Sequence, residues 1–382
     1  MIYNNLIHNE VIIEKFKKHL NANSIPNAFI FYGNEGVGKF GHAIELAYMI
    51  LSKNADEKSN ILNKIKKNLH ENINYILPLP KKKAISKTDS ALKALRAIDI
   101  ENIYEEIKSK LSDPYHRVEI EKANTILINS IRDIKNRISL SDYNNRWNIY
   151  IIMNAEKLCI PRAESANALL KILEEPNDKN LFILLTSNIA QILDTVTSRC
   201  SKIFFPKIKK ESIHQYLKER NGELNKELIV ASSICNGNMT SCLELVSKFE
   251  MRFSTFDEGI KLLFKYDLNK WNNFSKKIKI NEIKYFLDLL LIFFSDIIIY
   301  KQYQSKGKLN FQNYFDEIII LNKKYDAKVF QSLIDIINKT KQDMGKNVFK
   351  PLLITSLYIE INQLLRNASF KKTTFDALNL HL

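Results

Sequence analysis

The first half of the chain alternates short apolar runs with stretches of helical spacing. Apolar runs at residues 28–32, 149–152 and 181–185 have the length and flanks of buried parallel strands, with further strands predicted at 125–128 and 203–205. Residues 10–22, 39–52 and 163–175 instead place apolar side chains at helical spacing, and a helix begins near 131. Strands that alternate with helices predict an α/β fold, a parallel sheet with helices on both faces.

The second half of the chain has a different pattern. From about residue 207 the apolar spacing is helical to the end, so we place the main domain boundary near Pro206 and expect an all-α remainder. Residues 289–300 form its most apolar stretch, and residues 286–300 are predicted to be a central buried helix. Residues 53–120 are less regular, and we interpret them as an insertion into the first domain.

Composition narrows the class of protein. The net charge of +15 fits a nucleic-acid or other polyanion partner, but it also fits the Lys, Asn and Ile bias of an A·T-rich coding sequence. The four cysteines form no C-x-x-C pair, which argues against a zinc cluster, and their scatter favours a reducing compartment. The N-terminus lacks the layout of a signal peptide, and no apolar stretch is long enough to span a bilayer. We therefore expect a cytoplasmic protein without a membrane partner.

A glycine-rich loop carries the clearest chemistry. Residues 33–40 read GNEGVGKF, between a predicted strand and a predicted helix, which is the context of a phosphate loop. Gly33, Gly36 and Gly38 would let the backbone approach phosphate, and Lys39 would add a positive charge. The pattern ends in Ser or Thr, whose hydroxyl binds magnesium, but Phe40 stands there. A phenyl ring cannot ligate a hard cation.

A second magnesium contributor is also missing. Active phosphate-loop enzymes carry an acidic residue at the end of a second strand, where this chain has Met153 and Asn154. Glu156 lies two residues further on and is interpreted as a surface carboxylate or a helix N-terminal charge. Intrinsic nucleotide hydrolysis is therefore not expected. The histidines and cysteines form no other catalytic pattern.

Three stretches together resemble a family. They are the loop with its preceding strand, the block SANALLKILEEP at residues 165–176, and Ser198-Arg199-Cys200 after the third strand. In this order they resemble the bacterial clamp-loader subunits of the AAA+ class over roughly the first 206 residues. The resemblance implies an AAA+ nucleotide-binding-like domain at 1–206, a helical lid at 207–248 and an all-α collar, or oligomerisation domain, at 249–382.

The departures from the family pattern favour one kind of subunit. The gamma/tau ATPases of the family have intact nucleotide motifs, whereas the delta-prime kind has degenerate ones and keeps Ser-Arg-Cys. Phe40, Met153 and Asn154 therefore favour delta-prime, as does Thr240, which stands where the ATPases carry an arginine. The resemblance then implies no required cofactor and weak or no ATP or ADP binding. Zinc is not expected, since the family's zinc cysteines are missing from residues 53–120.

The resemblance also implies a role for Arg199, flanked by Ser198 and Cys200. It would act catalytically in trans, as an arginine finger toward nucleotide held by a neighbouring ATPase subunit. The expected partners are the gamma/tau and delta subunits, with the sliding clamp and primer-template DNA reached through the assembly, during DNA replication by the DNA polymerase III holoenzyme. By family analogy, Ser165 and Asn167 would contact DNA phosphate.

Three alternatives stay open. The chain could be an active clamp-loader ATPase of the gamma/tau kind with unusual magnesium ligands. It could be a basic DNA-binding protein that needs no partner and retains a vestigial phosphate loop. Arg199 could also be an ordinary surface ion pair, because a short motif match has a high false-positive rate.

Overall fold

The computed structural model describes residues 2–22, 24–53, 58–81, 83, 86, 88–141, 146–175, 178–224, 226–247, 249–265, 267–344 and 349–378. The chain divides into two compact units. One comprises Met1–Tyr216 with Gly237–Ser241, and the other comprises Leu217–Asn236 with Cys242–Leu382. The three-part division at 206 and 248 stays a prediction.

Five parallel strands form the sheet of the first unit. They are β1 Ala28–Tyr32, β2 Ile73–Ile76, β3 Asn148–Ile152, β4 Asn180–Thr186 and β5 Ser201–Phe204, in the spatial order β2-β3-β4-β1-β5. Every residue of β4 is buried, as expected of a central strand with helices on both faces. Since all strands are parallel, their carboxyl ends share one edge of the sheet, where ligands of such folds bind.

Helices cover both faces of this sheet. The helices of the first unit are α1 Glu10–Asn21, α2 Lys39–Leu51, α3 Lys58–Lys66, α4 Ala97–Ser112, α5 Ile128–Ser141, α6 Glu164–Glu174 and α7 Asp194–Thr197, and α8 Lys210–Asn221 crosses the division after Tyr216. On one face, Phe16 of α1 stacks on Phe31 of β1 with ring centroids 5.6 Å apart. On the other face, Ile30 of β1 lies in a buried cluster with Ile134 of α5 and Leu169 of α6. The predicted fold class, an α/β domain with a parallel sheet followed by an all-helical part, is confirmed.

One predicted strand is wrong and one real strand was missed. At residues 125–128 the structure has only an isolated antiparallel bridge from Thr125 to Leu79, and Ile128 already begins α5. The missed strand is β2, an edge strand whose sequence INYI lacks an apolar run because its central residues are only half-buried. Residues 53–120 are therefore not wholly an insertion, since they supply a strand to the sheet. Pro176, which ends the SANALLKILEEP block, lies outside the described residues.

The remainder of the described chain is helical. Its helices are α9 Lys226–Ile234, α10 Met239–Ser247, α11 Phe249–Lys265, α12 Leu268–Lys277, α13 Ile280–Tyr303, α14 Phe315–Lys324, α15 Ala327–Asp343 and α16 Lys350–Leu378. The predicted buried helix is confirmed within α13, where Phe286, Phe293 and Ile297 are buried. Trp271 packs against the same core and donates its indole N–H to the Ile354 carbonyl at 3.0 Å. A search of the described helices finds no candidate membrane span.

Candidate phosphate-binding site and the Arg199 surface

The glycine-rich loop joins β1 to the N-terminus of α2, as the sequence predicts. A Cβ at Gly33 would lie 2.2 Å from the Phe205 carbonyl oxygen, so only glycine fits there. Gly36 has φ +69°, and a Cβ added to it would lie 1.8 Å from Asn238 Oδ1. The glycines therefore serve close backbone approach, which leaves the helix N-terminus open to an anion.

Lys39 begins α2 and turns back over the loop. Its ammonium donates hydrogen bonds to the Gly33 carbonyl at 2.6 Å and to the Asn34 carbonyl at 2.5 Å. Burial lowers the pKa of Lys39 to about 8, against the opposing charges of Glu156 and Glu35. The loop therefore holds a cation that has lost much of its hydration, and an anion placed here would restore its favourable interactions.

A cavity of about 330 Å³ opens over the loop at the carboxyl edge of the sheet. Its walls come from the loop, from the end of α4 and the segment after it, and from the residues that follow β3 and β4. The lining residues are Glu35, Gly36, Gly38, Lys39, Phe40, Lys110, Pro114, His116, Arg117, Val118, Met153, Asn154, Glu156, Leu185, Thr186, Ser187 and Thr240.

The two positions expected to lack magnesium ligands do line this cavity. Phe40 and Met153 are 5% and 6% exposed, and each contributes carbon or thioether atoms where a metal site would need oxygen. The Phe40 ring packs against the Tyr75 ring, with the ring centroids 6.1 Å apart. Position 40 therefore presents an apolar side chain, and no hydroxyl, at the start of α2. The residues present fit the phosphate groups of a nucleotide, but at these two positions they do not fit the magnesium ion that usually accompanies one.

Glu156 corrects a prediction. It is only 8% exposed and lines the cavity, and so the surface alternative is wrong. It lies in the first turn of a 3₁₀ helix, which agrees with the other alternative, a helix N-terminal charge. Its Oε2 accepts a hydrogen bond of 2.6 Å from the Thr186 hydroxyl at the end of β4. Asn154 adopts a left-handed conformation with φ +52°, and the 3₁₀ turn Ala155–Cys159 then carries Glu156 to the cavity. An asparagine two residues after the end of β3 was the available signal, because asparagine tolerates this conformation well.

Two cationic residues of the cavity were missed by sequence reasoning. Lys110 lies near the end of α4, where its ammonium is 5.6 Å from the Phe40 ring centroid and donates to the His116 carbonyl. Burial lowers the pKa of Lys110 to about 8. Arg117 forms an ion pair with Glu35 of the loop at 3.2 Å. Both cations come from the segment interpreted as an insertion, and no motif marks them.

The stretch Gly237–Ser241 folds with the first unit and reaches the loop. The Met239 amide donates to the Gly36 carbonyl at 3.0 Å, and the Thr240 hydroxyl donates to the Tyr115 carbonyl at 2.7 Å. Thr240 is buried in the cavity wall. The structure thus places Thr240 beside the loop, but without a charge.

Arg199 follows the short helix α7 and does not line the cavity. It donates from Nη2 to Glu174 Oε1 and from Nη1 to the Thr195 carbonyl, both at 2.8 Å, and its side chain stays 37% exposed. Cys200 is buried, donates to the Val196 carbonyl and has its pKa raised to about 12 by burial, as expected of a structural thiol. Ser198 is exposed. The motif therefore presents the arginine and the serine and buries the cysteine.

The structure argues against a DNA contact by the Ser165 hydroxyl. Ser165 is 6% exposed at the start of α6 and donates its hydroxyl to the Ile126 carbonyl at 2.7 Å. That bond joins α6 to the segment before α5, so the hydroxyl is used inside the fold. Asn167 is exposed on the same helix.

Comparisons with known proteins agree on one family. The model of the family described as "DNA polymerase III, delta subunit" matches residues 8–209, just over half of the chain. The delta' subunit of DNA polymerase III from Bacillus subtilis is 27% identical over 198 residues, covering 49% of this chain and 57% of its own. The tau subunit from the same organism is 25% identical over 258 residues, covering 59% and 44%. The chain thus spans about half the length of these relatives.

A gamma subunit-related protein of DNA polymerase III from Thermotoga maritima aligns over 92% of this chain and 99% of its own, at 16% identity and a TM-score of 0.41.

Proposed function

This chain belongs to the DNA polymerase III delta subunit family, and we propose that it is a clamp-loader subunit of the delta-prime kind. In this role it helps to load the sliding clamp onto primed DNA during replication. It does not hydrolyse ATP itself, but it completes the active site of a neighbouring ATPase subunit. Its partners are the gamma/tau and delta subunits, and through the assembly the clamp and the primer-template DNA.

The pair of Phe40 and Met153 is the observation that carries this proposal. Both side chains line the cavity over the loop, at the two places where phosphate-loop enzymes hold magnesium. Without that metal, the charge that develops during phosphoryl transfer has no divalent counter-ion. The subunit accordingly needs no cofactor for its role, and any ATP or ADP that it binds is not turned over.

Arg199 supplies the contribution to the neighbour. Its guanidinium is exposed, and its ion pair with Glu174 joins two side chains that both reach solvent. Such surface pairs contribute only about 0–1 kcal/mol, so exchange of Glu174 for a phosphate costs little. The planar guanidinium can then make paired hydrogen bonds to phosphate oxygens, and arginine fingers of this kind accelerate hydrolysis roughly 10³- to 10⁵-fold.

A second candidate, an ATPase of the gamma/tau kind, is favoured by Glu156. A buried carboxylate in the cavity, held by Thr186 at 2.6 Å, has the chemistry to orient an attacking water. It is the weaker candidate, because Phe40 supplies no oxygen ligand for the magnesium ion that hydrolysis would need beside Glu156. Steady ATP turnover by the purified chain alone would favour it.

The proposal is tested by ATP hydrolysis in an assembly reconstituted from this chain, the gamma/tau ATPase and the delta subunit. The assay is run with the clamp and primed DNA, for the unaltered chain and for Arg199→Ala. We expect the lone chain to be silent and Arg199→Ala to lower the hydrolysis rate of the assembly by at least about 100-fold. The matched control is Arg162→Ala, which removes another exposed arginine of the same unit.

Assembly is measured in parallel by gel filtration, so that a lost rate can be separated from a lost complex. An unchanged rate in an intact Arg199→Ala assembly would overturn the role of Arg199. Turnover by the lone chain would replace the proposal with the ATPase candidate.

A further inference from the structure

Lys110 lies beside the residue that replaces the magnesium ligand. Its ammonium is 5.6 Å from the centroid of the Phe40 ring, and both residues line the cavity over the loop. The hydroxyl of a complete phosphate loop would bind its metal from position 40. A protein cation thus lies near the place from which the divalent cation has been lost.

The cavity carries further positive charge. Lys39 lies within the loop and Arg117 enters from the segment after α4, so three cationic side chains line one cavity with the carboxylates of Glu35 and Glu156. Arg117 is paired with Glu35 at 3.2 Å. Since Glu35 already offsets the charge of Arg117, the Lys110 ammonium is the cation on the side of Phe40 that can act as a counter-ion.

We propose that this cavity binds the diphosphate group of a nucleotide without a metal ion, with the Lys110 ammonium serving as the counter-ion that magnesium supplies elsewhere. The inference deepens the proposed function, because it gives a ligand to a subunit that does not hydrolyse nucleotide. The loop amides at the start of α2 and the Lys39 ammonium bind the phosphate oxygens. Lys110 then offsets the charge on the side of Phe40.

The lysines themselves support such a ligand. Burial lowers the pKa of both Lys39 and Lys110 to about 8, since each ammonium lies where water cannot solvate it well. A bound diphosphate would accept charge-assisted hydrogen bonds from both and offset that lost hydration. Both ammonium groups would therefore gain favourable interactions from a bound anion.

Glu156 sets the length of the phosphate chain. Its carboxylate lines the same cavity as Lys39, the residue that contacts the outer phosphates in complete loops, and its charge acts on the Lys39 ammonium. Without a metal ion between them, a third phosphate would meet this carboxylate directly and be repelled. The site should therefore prefer a diphosphate to a triphosphate.

The test is isothermal titration calorimetry of the full chain with ADP, ATP and inorganic pyrophosphate, each in EDTA and in excess Mg²⁺. We expect ADP to bind equally well in both buffers and more tightly than ATP. Pyrophosphate binding as tight as ADP would support the shared diphosphate chemistry with an inorganic source, and weaker pyrophosphate binding would support a nucleotide source. Binding that requires Mg²⁺, or no binding of any of the three in EDTA, would overturn the proposal.

The decisive variant is Lys110→Met, which removes the ammonium and keeps an unbranched apolar side chain. We expect a loss of ADP affinity of about 10- to 100-fold, as for one hydrogen bond to a charged group. The matched control is Lys108→Met, on the same helix α4, whose exposed ammonium pairs with Glu105. Circular dichroism and thermal melting establish that each variant is folded.

A second variant keeps the test valid if Lys110→Met fails to fold. Glu156→Gln should narrow the preference for ADP over ATP, because it removes the charge that repels a third phosphate. A folded Lys110→Met chain with unchanged ADP affinity, or a Glu156→Gln chain with an unchanged preference, would contradict the proposal. Neither result depends on hydrolysis in the reconstituted assembly, so the proposed function would stand or fall separately.

Discussion

The phosphate loop and the Arg199 surface belong to the same unit but are held by different means. The loop is fixed by backbone contact, with no space for a side chain between Gly33 and the Phe205 carbonyl. Arg199 is held at the surface by one ion pair and one carbonyl, and its side chain is 37% exposed. The loop geometry is therefore part of the packed fold, whereas Arg199 can exchange its partner at little cost in stability.

Gly36→Ala tests how tightly the loop is packed, and it is expected to have the largest effect. The added Cβ would lie 1.8 Å from Asn238 Oδ1 at a backbone φ of +69°, so both space and conformation oppose it. We expect the free energy of unfolding to fall by about 2–4 kcal/mol, measured by denaturant titration.

Gly222→Ala is the matched control for backbone strain alone. Gly222 has φ +84°, but a Cβ there meets nothing within 4 Å, so we expect a loss of only about 1 kcal/mol. Equal losses for the two variants would show that the loop is not tightly packed, and the comparison would fail.

The affinity for ADP should depend on pH, because Lys39 and Lys110 are buried. Because burial lowers the pKa of Lys39 and Lys110 to about 8, both are charged below that pH and become neutral above it. A polyphosphate prefers the charged forms, so ADP affinity should fall about tenfold or more between pH 7 and pH 9. The charged groups acting on these two ammonium groups are Glu35, Asp113, Arg117 and Glu156, and the Lys39 ammonium itself acts on Lys110.

Isothermal titration calorimetry at several pH values measures the affinity for ADP directly. Proton uptake on binding near pH 8 is the expected accompaniment, because the ligand raises the pKa of the lysines. An ADP affinity that is constant from pH 7 to pH 9 would count against the two lysines as phosphate ligands.

The smallest effect on stability is expected at the Arg199 surface. Glu174→Gln removes the ion-pair partner of Arg199, and because both side chains reach solvent we expect the free energy of unfolding to change by less than about 1 kcal/mol. Glu175→Gln, at the neighbouring exposed position, is the control. A loss above about 2 kcal/mol specific to Glu174 would show that this surface is as rigid as the loop.

The sequence predicts the central part of the fold well. Strands β1, β3 and β4 are continuous apolar runs because helices cover them on both faces, and that burial leaves a clear signal. The edge strand β2 has no such signal, since Asn74 and Tyr75 at its centre are only half-buried. Residues 125–128 are apolar because they pack under the sheet rather than pair in it, as the burial of Ile126 shows.

The site was predicted only where a motif spans contiguous residues. The loop and its missing hydroxyl can be found by spacing, because Gly33 to Phe40 are neighbours in sequence. Glu156 reaches the cavity through a left-handed turn at Asn154, and Lys110 through the path of α4. Positions that depend on tertiary path leave no local pattern, so sequence reasoning did not place Glu156 or Lys110 in the cavity.

The contact between Lys110 and Phe40 also bears on how this chain could change by mutation. Restoring the hydroxyl alone, by Phe40→Ser, would create a metal ligand beside a resident ammonium, and two positive charges so close repel each other. Removing Lys110 first would leave the side of the cavity near Phe40 with neither an ammonium group nor a magnesium ion. Each of these two single substitutions therefore leads to a less favourable site, so positions 40 and 110 would have to change together for the cavity to regain magnesium.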